Sequence, residues 1–362
     1  MTASAGERSE LSIVVASRND DHGGATLKRM RLFLQGLLDQ TRRHRLTAEL
    51  IVVEWNPPDD RPRLREVLPK PCPRDWLTLR YVEVPPSIHR RYRCAPELPL
   101  FQMIAKNVGI RRARGAFILC TNVDLLFSDP LLRLLADKPL RRDTYYRANR
   151  CDVPDGIDPG WDISRQLAWC QGNVIRRLGR DPRYHHVNHE TVAMQDKSAL
   201  KKWLLDKWAL SWSREKRILY GLDSFACGDF TLMSREAWTA IQGYLELDLY
   251  SLHVDFLGLI AAASLGYRQH VFPREACTYH VDHASGWQSM SPLEKVRFLE
   301  RRPALDYHLV LEVGLYALTK GEPLDLNPAD WGYADRDLEE FVFAPAGDAL
   351  RQDRARLASP GD

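Results

Sequence analysis

The chain alternates short, fully apolar runs with stretches in which apolar residues recur every third or fourth position. Leu11 to Ser17 (LSIVVAS) is continuous and β-branched, the pattern of a strand buried on both faces of a parallel sheet. Leu27, Met30, Leu34, Leu37 and Leu38 follow at helical spacing, and Glu49 to Glu54 (ELIVVE) is a second apolar run. Strand, helix, strand in this order implies a right-handed crossover and a parallel pair. The pattern further predicts a strand at Leu79 to Val84, a helix at Phe101 to Arg112 and a fourth strand at Phe117 to Thr121. Such a rhythm makes an open, doubly wound, mostly parallel sheet flanked by helices.

The rhythm breaks between about Cys151 and Leu222, a stretch with His185, His186, His189 and the tryptophans 203, 208 and 212. It resumes with a strand at Phe230 to Ser234, helices at Arg235 to Ile241 and Asp255 to Leu265, and a strand at Tyr267 to Phe272. Ser291-Pro292-Leu293-Glu294 is a capping box with proline at the first helical position. The expected organisation is a flexible start (1–10), one domain over 11–290 and a C-terminal helical extension (291–343). A charged, frayed tail (344–362) completes it. Within the domain, 11–125 forms a first half, 151–222 a helical insertion, and 223–290 a second half.

Composition removes several alternatives. A formal charge of only +3 over 362 residues provides no field for nucleic acid. Seven cysteines without CxxC spacing argue against a zinc knuckle or a disulfide framework and for free thiols in a reducing compartment. No apolar run is long enough to span a bilayer, so a soluble, cytoplasmic protein is expected. No Gly-x-Gly-x-x-Gly or Walker sequence follows the first strand, which disfavours dinucleotide cofactors and P-loop chemistry.

Ligands of open α/β sheets bind beyond the carboxyl ends of the strands. Here those ends read Ser17-Arg18-Asn19-Asp20, Glu54-Trp55-Asn56 and Asn122-Val123-Asp124. All are polar or acidic, a composition that suits a divalent ion offsetting a bound phosphate. In an extended strand residues two apart share a face, so Asn122 and Asp124 could point at one ion; the same residues are also common in turns.

Three passages are similar to the GT-A fold of nucleotide-sugar glycosyltransferases, family 2-like enzymes in particular. They are Lys106-Asn107-Val108-Gly109 leading through Ala113-Arg114-Gly115-Ala116-Phe117-Ile118-Leu119 to Asn122-Val123-Asp124; Cys227-Gly228-Asp229-Phe230 with Gly243-Tyr244; and His280-Val281-Asp282-His283. The likeness spans roughly residues 10 to 290. It departs where the family's Asp-x-Asp is Asn122-x-Asp124 and its arginine is Lys106.

The resemblance implies a metal-dependent, hexosyltransferase-like enzyme moving a sugar from a UDP-, GDP- or dTDP-linked donor to a glycan or lipid-linked acceptor in polysaccharide or glycoconjugate biosynthesis. Mn²⁺ or Mg²⁺ would sit on Asp124 with His280 or His283; His280 is favoured because His283 falls on the opposite face of an extended strand. An imidazole ligand tilts the choice towards manganese. Ala16, Ser17, Arg18, Glu54, Lys106, Asn107, Asn122 and Val123 would contact the nucleotide, and Cys227, Gly228 and Asp229 the sugars. Asp255 is the candidate base, with Asp229 the second choice.

Plainer roles stand beside these: a loop or helix cap for Glu54, a favourable helix N-terminal charge for Asp255, and a packed stripe for Leu200, Trp203, Leu204 and Trp208. The tryptophans and neighbouring lysines could instead stack on sugar or lie peripherally on a membrane. Two further readings are a sugar nucleotidyltransferase, whose glycine-rich basic loop is missing here, and a non-catalytic sugar- or nucleotide-binding module.

Overall fold

The computed structural model describes residues 11–20, 24–179, 184–187, 190–193, 213–283, 290–321 and 324–345. Residues 1–10, most of the tail 344–362, and the expected stripe of Leu200, Trp203, Leu204 and Trp208 with Trp212 lie outside the described residues.

Fourteen strands are described: β1 (Leu11–Ser17), β2 (Ala48–Trp55), β3 (Leu77–Val84), β4 (Phe117–Thr121), β5 (Leu125–Phe127), β6 (Thr144–Arg147), β7 (Asn149–Val153), β8 (Arg176–Leu178), β9 (Tyr184–Val187), β10 (Glu190–Ala193), β11 (Phe230–Ser234), β12 (Arg268–Val271), β13 (Cys277–Val281) and β14 (Glu340–Phe343). Eight form the main sheet in the order β12-β6-β11-β4-β1-β2-β3-β14. β1 runs parallel to both β2 and β4, β2 to β3 and β6 to β12, whereas β11 and β14 are antiparallel to their neighbours. This is the open, mainly parallel sheet flanked by helices expected of the GT-A type.

Alternation along β1 explains the layering. Ile13 and Val15 face one core with Met30, Phe33 and Leu37 of the helix Thr26–His44, while Val14 and Ala16 face a second core with Ile104 and Val108 of the helix Gln102–Arg112. Both faces are closed, and all seven residues of β1 are buried. Each apolar side chain of that size contributes on the order of 1.5–3 kcal/mol by leaving water.

A second sheet, in the order β5-β13-β7-β8, lies against the first. The chain passes between sheets at Ala148, where β6 ends in one and β7 begins in the other. So β7, which starts at Asn149 just ahead of the expected insertion, and β8 inside it join β5 and β13 in this sheet, and the helix Ile163–Gly172 packs with it in a small core around Cys151, Cys170 and Cys277. The C-terminal extension is likewise not wholly helical. After the helices Pro292–Arg301 and Tyr307–Lys320, β14 returns to pair with β3 at the sheet edge. Ser291 caps the first of these helices in the expected box with Glu294. All seven cysteines are free thiols. Among the described residues no helix is long and apolar enough to cross a membrane.

Candidate active site and metal centre

Beyond the end of β4 the chain does not stay extended. Asn122 to Asp124 form a turn into β5, so the two side chains part. Asn122 Oδ1 accepts from Gln102 Nε2 at 2.8 Å and Lys106 Nζ at 2.9 Å, and its Nδ2 donates to Asp229 Oδ1 at 2.6 Å. The amide is thereby committed to bracing the turn against β11. The expected shared ion for Asn122 and Asp124 is not what the turn provides.

Asp124 instead meets two histidines. His280 Nε2 lies 3.4 Å and His283 Nε2 3.6 Å from Asp124 Oδ2. The three residues can each present one ligand atom with all of those atoms within 4.8 Å of one another. His283 reaches the cluster because β13 ends at Val281, so the face-alternation that separated the two histidines stops two residues short of His283. The donor set fits a divalent cation. Among the described residues, Asp124 Oδ1 and His283 Nδ1 are buried without a hydrogen-bond partner, and the cluster offers one hard oxygen and two nitrogens. Two imidazoles suit manganese better than magnesium.

Electrostatics concentrate on the same spot. Burial opposes charge on His280, but Asp124 and Asp152 outweigh it and raise the imidazole to about 9. Burial likewise works against the Asp124 carboxylate, yet its histidines hold it well below the usual carboxylate range. Asp152 Oδ1 stands 3.2 Å from His280 Nδ1.

Arg150, two residues before Asp152 on β7, joins this cluster to the adjoining cleft. Its Nε donates to Asp152 Oδ1 at 2.6 Å, its Nη1 to Asp229 Oδ2 at 2.9 Å, and its Nη2 lies 2.8 Å from His280 Nδ1. Arg176 from β8 also donates to Asp152, through Nε at 2.6 Å. The cleft itself, about 530 Å³, is lined by Asn122, Arg150, Cys227, Gly228, Asp229 and Asp255, among others. Gly228 is there for space: a Cβ on it would stand 2.9 Å from Asp255 Oδ2. The Cys227 thiol is buried and pushed up, by desolvation first and by Asp255 second. Asp255 opens the helix Val254–Ser264, where its Oδ1 accepts from the Phe256 amide at 2.9 Å.

Several residues expected at the nucleotide are placed elsewhere. Lys106 is fully buried, its Nζ bonded to Asn122 Oδ1 and, at 2.9 Å, to the Gly228 carbonyl; burial lowers its pKa. It supports the cleft floor from behind and has no exposed surface for a phosphate. Glu54 is buried and accepts the Leu64 amide on both oxygens, at 3.0 and 2.9 Å, capping the short helix Leu64–Val67; burial pushes it up to about 7. Asn107 holds the chain at Tyr244 through two backbone bonds of 2.7 and 2.8 Å, next to Gly243, whose φ of +72° places it in the left-handed region. Ala16 and Ser17 are buried, Ser17 Oγ against Met30 Sδ at 3.4 Å, and Val123 packs on the core. Arg18 remains near the strand ends, bonded to Pro99 O and paired with Asp20 at 3.3 Å.

Sequence reasoning missed Arg150, Asp152 and Gln102. A signal existed for the first two: Arg150-Cys151-Asp152 is charged, apolar, charged, and two charges on one face of a strand need partners.

No protein-family model matches this chain. Nor does any curated protein. Among solved structures it is similar in outline to GalNAc-T7 with UDP, GalNAc and Mn²⁺, at a TM-score of 0.41 and 12% identity over 81% of this chain and 48% of that one. It thus spans about half the length of that protein. The catalytic domain of Drosophila β1,4-galactosyltransferase 7 in complex with xylobiose gives 0.37 and 12% over 82% of each chain. The mannosyltransferase PcManGT from Pyrobaculum calidifontis, with GDP-Man and Mn²⁺, gives 0.42 and 14% over 98% of this chain and 82% of that one.

Proposed function

We propose that the chain is a metal-dependent glycosyltransferase that moves a hexose from a nucleotide sugar to a glycan or lipid-linked acceptor. The observation carrying this reading is the Asp124–His280–His283 cluster, bridged through Arg150 to a cleft that holds Asp229 and Asp255. It supports the reading because the chemistry needs two things side by side. One is a cation site for a departing diphosphate; the other is a carboxylate for the acceptor's proton.

Asp124, His280 and His283 would hold Mn²⁺ or Mg²⁺, which when bound offsets diphosphate charge as a Lewis acid. The acceptor hydroxyl oxygen bonds to the anomeric carbon as that carbon's bond to the diphosphate breaks, its electron pair leaving on the phosphate oxygen. The hydroxyl proton passes to Asp255. Asp255 is preferred over Asp229 because both Asp229 oxygens already accept charged or amide donors, from Arg150 and Asn122, whereas Asp255 meets only its neighbouring amide and the Cys227 thiol among the described residues. Asp229 holds the floor of the cleft, and Gly228 leaves room for the sugar beside Asp255.

Incubation with UDP-, GDP- and dTDP-linked hexoses and Mn²⁺ tests the proposal. It calls for nucleoside diphosphate release from at least one donor, and for Asp255→Asn to lower that rate about 10²- to 10⁴-fold while donor binding persists. Absence of release or thermal stabilisation with every donor would refute it; binding without turnover would make the chain a binding module.

A further inference from the structure

Arg150 is locked in orientation by three neighbours on three elements: Asp152 on its own strand, His280 on β13, and Asp229 just before β11. As a guanidinium it stays charged. A guanidinium carries five N–H groups, and among the described residues Nε and Nη1 spend one each on Asp152 and Asp229. Only 13% of the side chain is exposed, and it lines the cleft.

Arg150 and Arg176 set two positive charges among the three carboxylates Asp124, Asp152 and Asp229, so a divalent cation on Asp124 leaves these groups net positive.

Resting on the glycosyltransferase reading, we propose that Arg150 is a second, protein-borne cationic contact for the donor's diphosphate, facing it from the Asp229 side of the cleft once a divalent cation is in place. The N–H groups of this fixed fork that Asp152 and Asp229 do not take suit phosphate oxygens, and an orientation fixed before binding avoids the cost of arranging it during reaction. Lysine cannot substitute, because a point charge on a flexible stem cannot meet Asp152, Asp229 and the phosphate together.

The test compares Arg150→Lys and Arg150→Met with the wild type by calorimetry, using Mn²⁺ alone, then UDP, GDP and dTDP with Mn²⁺, then the matching monophosphates. We expect Mn²⁺ affinity alone to change by less than about threefold. Diphosphate affinity should fall about 10- to 100-fold and monophosphate affinity much less. Should Arg150→Met fail to fold, Arg150→Lys, which keeps the charge and loses the fork, reads the same ratio. Equal diphosphate affinity in wild type and Arg150→Lys would overturn the assignment while leaving the glycosyltransferase reading intact. Loss of Mn²⁺ binding in step with the nucleotide would make Arg150 a positioning residue for the metal cluster and overturn it too. A wild type that binds no diphosphate would overturn both.

Discussion

Asn122 Nδ2 donates to Asp229 Oδ1 over 2.6 Å, tying the turn after β4 to the residue that leads into β11. The bond gives the asparagine at position 122 a role that a carboxylate could not fill. An acid here would face Asp229 at hydrogen-bond distance and lose the donor that holds it.

Asn122→Asp is therefore expected to weaken the protein. Denaturant unfolding should show a loss of about 1–3 kcal/mol, the usual cost of orphaning a buried polar group. Stability equal to the wild type would show that the amide proton is dispensable.

Lys106→Met removes the donor to Asn122 and to the Gly228 carbonyl while keeping much of the volume. The expected result is a similar loss of about 1–3 kcal/mol in urea unfolding. In the fraction that stays folded, nucleotide affinity should move by less than about threefold. A large affinity loss at unchanged stability would return Lys106 to the phosphate.

Glu54 gives the fold a pH dependence of definite sign. Its folded pKa of about 7 lies above the ordinary 4.5, so the folded chain binds this proton more tightly than the unfolded chain. The contribution to stability is complete below about pH 4.5 and is lost as pH rises towards 7. Relative to Glu54→Gln, the wild type should lose up to about 3 kcal/mol across that window, as followed by chemical denaturation at stepped pH. Parallel curves for the two proteins would contradict the assignment.

The same residue shows where sequence reading stopped. β1, β2 and β4 were legible because strands closed on both faces are continuous apolar runs, and Ser291-Pro292-Leu293-Glu294 was legible because its cap is local. Glu54 was read as a ligand contact because a polar strand end looks alike whether it meets a ligand or the amide of a residue ten positions on. The second sheet was not legible: β5, β7, β8 and β13 are three to five residues long, and their pairing is entirely long-range. The pairing of His283 with Asp124 was hidden for a narrower reason. It depends on β13 ending at Val281, and strand ends are less legible than strands.

The account rests on Asp124, His280 and His283 gripping a divalent cation beside the cleft. Calorimetric titration of Mn²⁺, followed by UDP, GDP and dTDP, into the wild type, Asp124→Ala and His283→Ala measures this directly. The account predicts that the wild type binds Mn²⁺ and then at least one diphosphate, and that both variants stay folded but lose Mn²⁺ affinity at least about tenfold, with the metal-dependent nucleotide binding lost alongside. Variants that bind Mn²⁺ and nucleotide as the wild type does would contradict it.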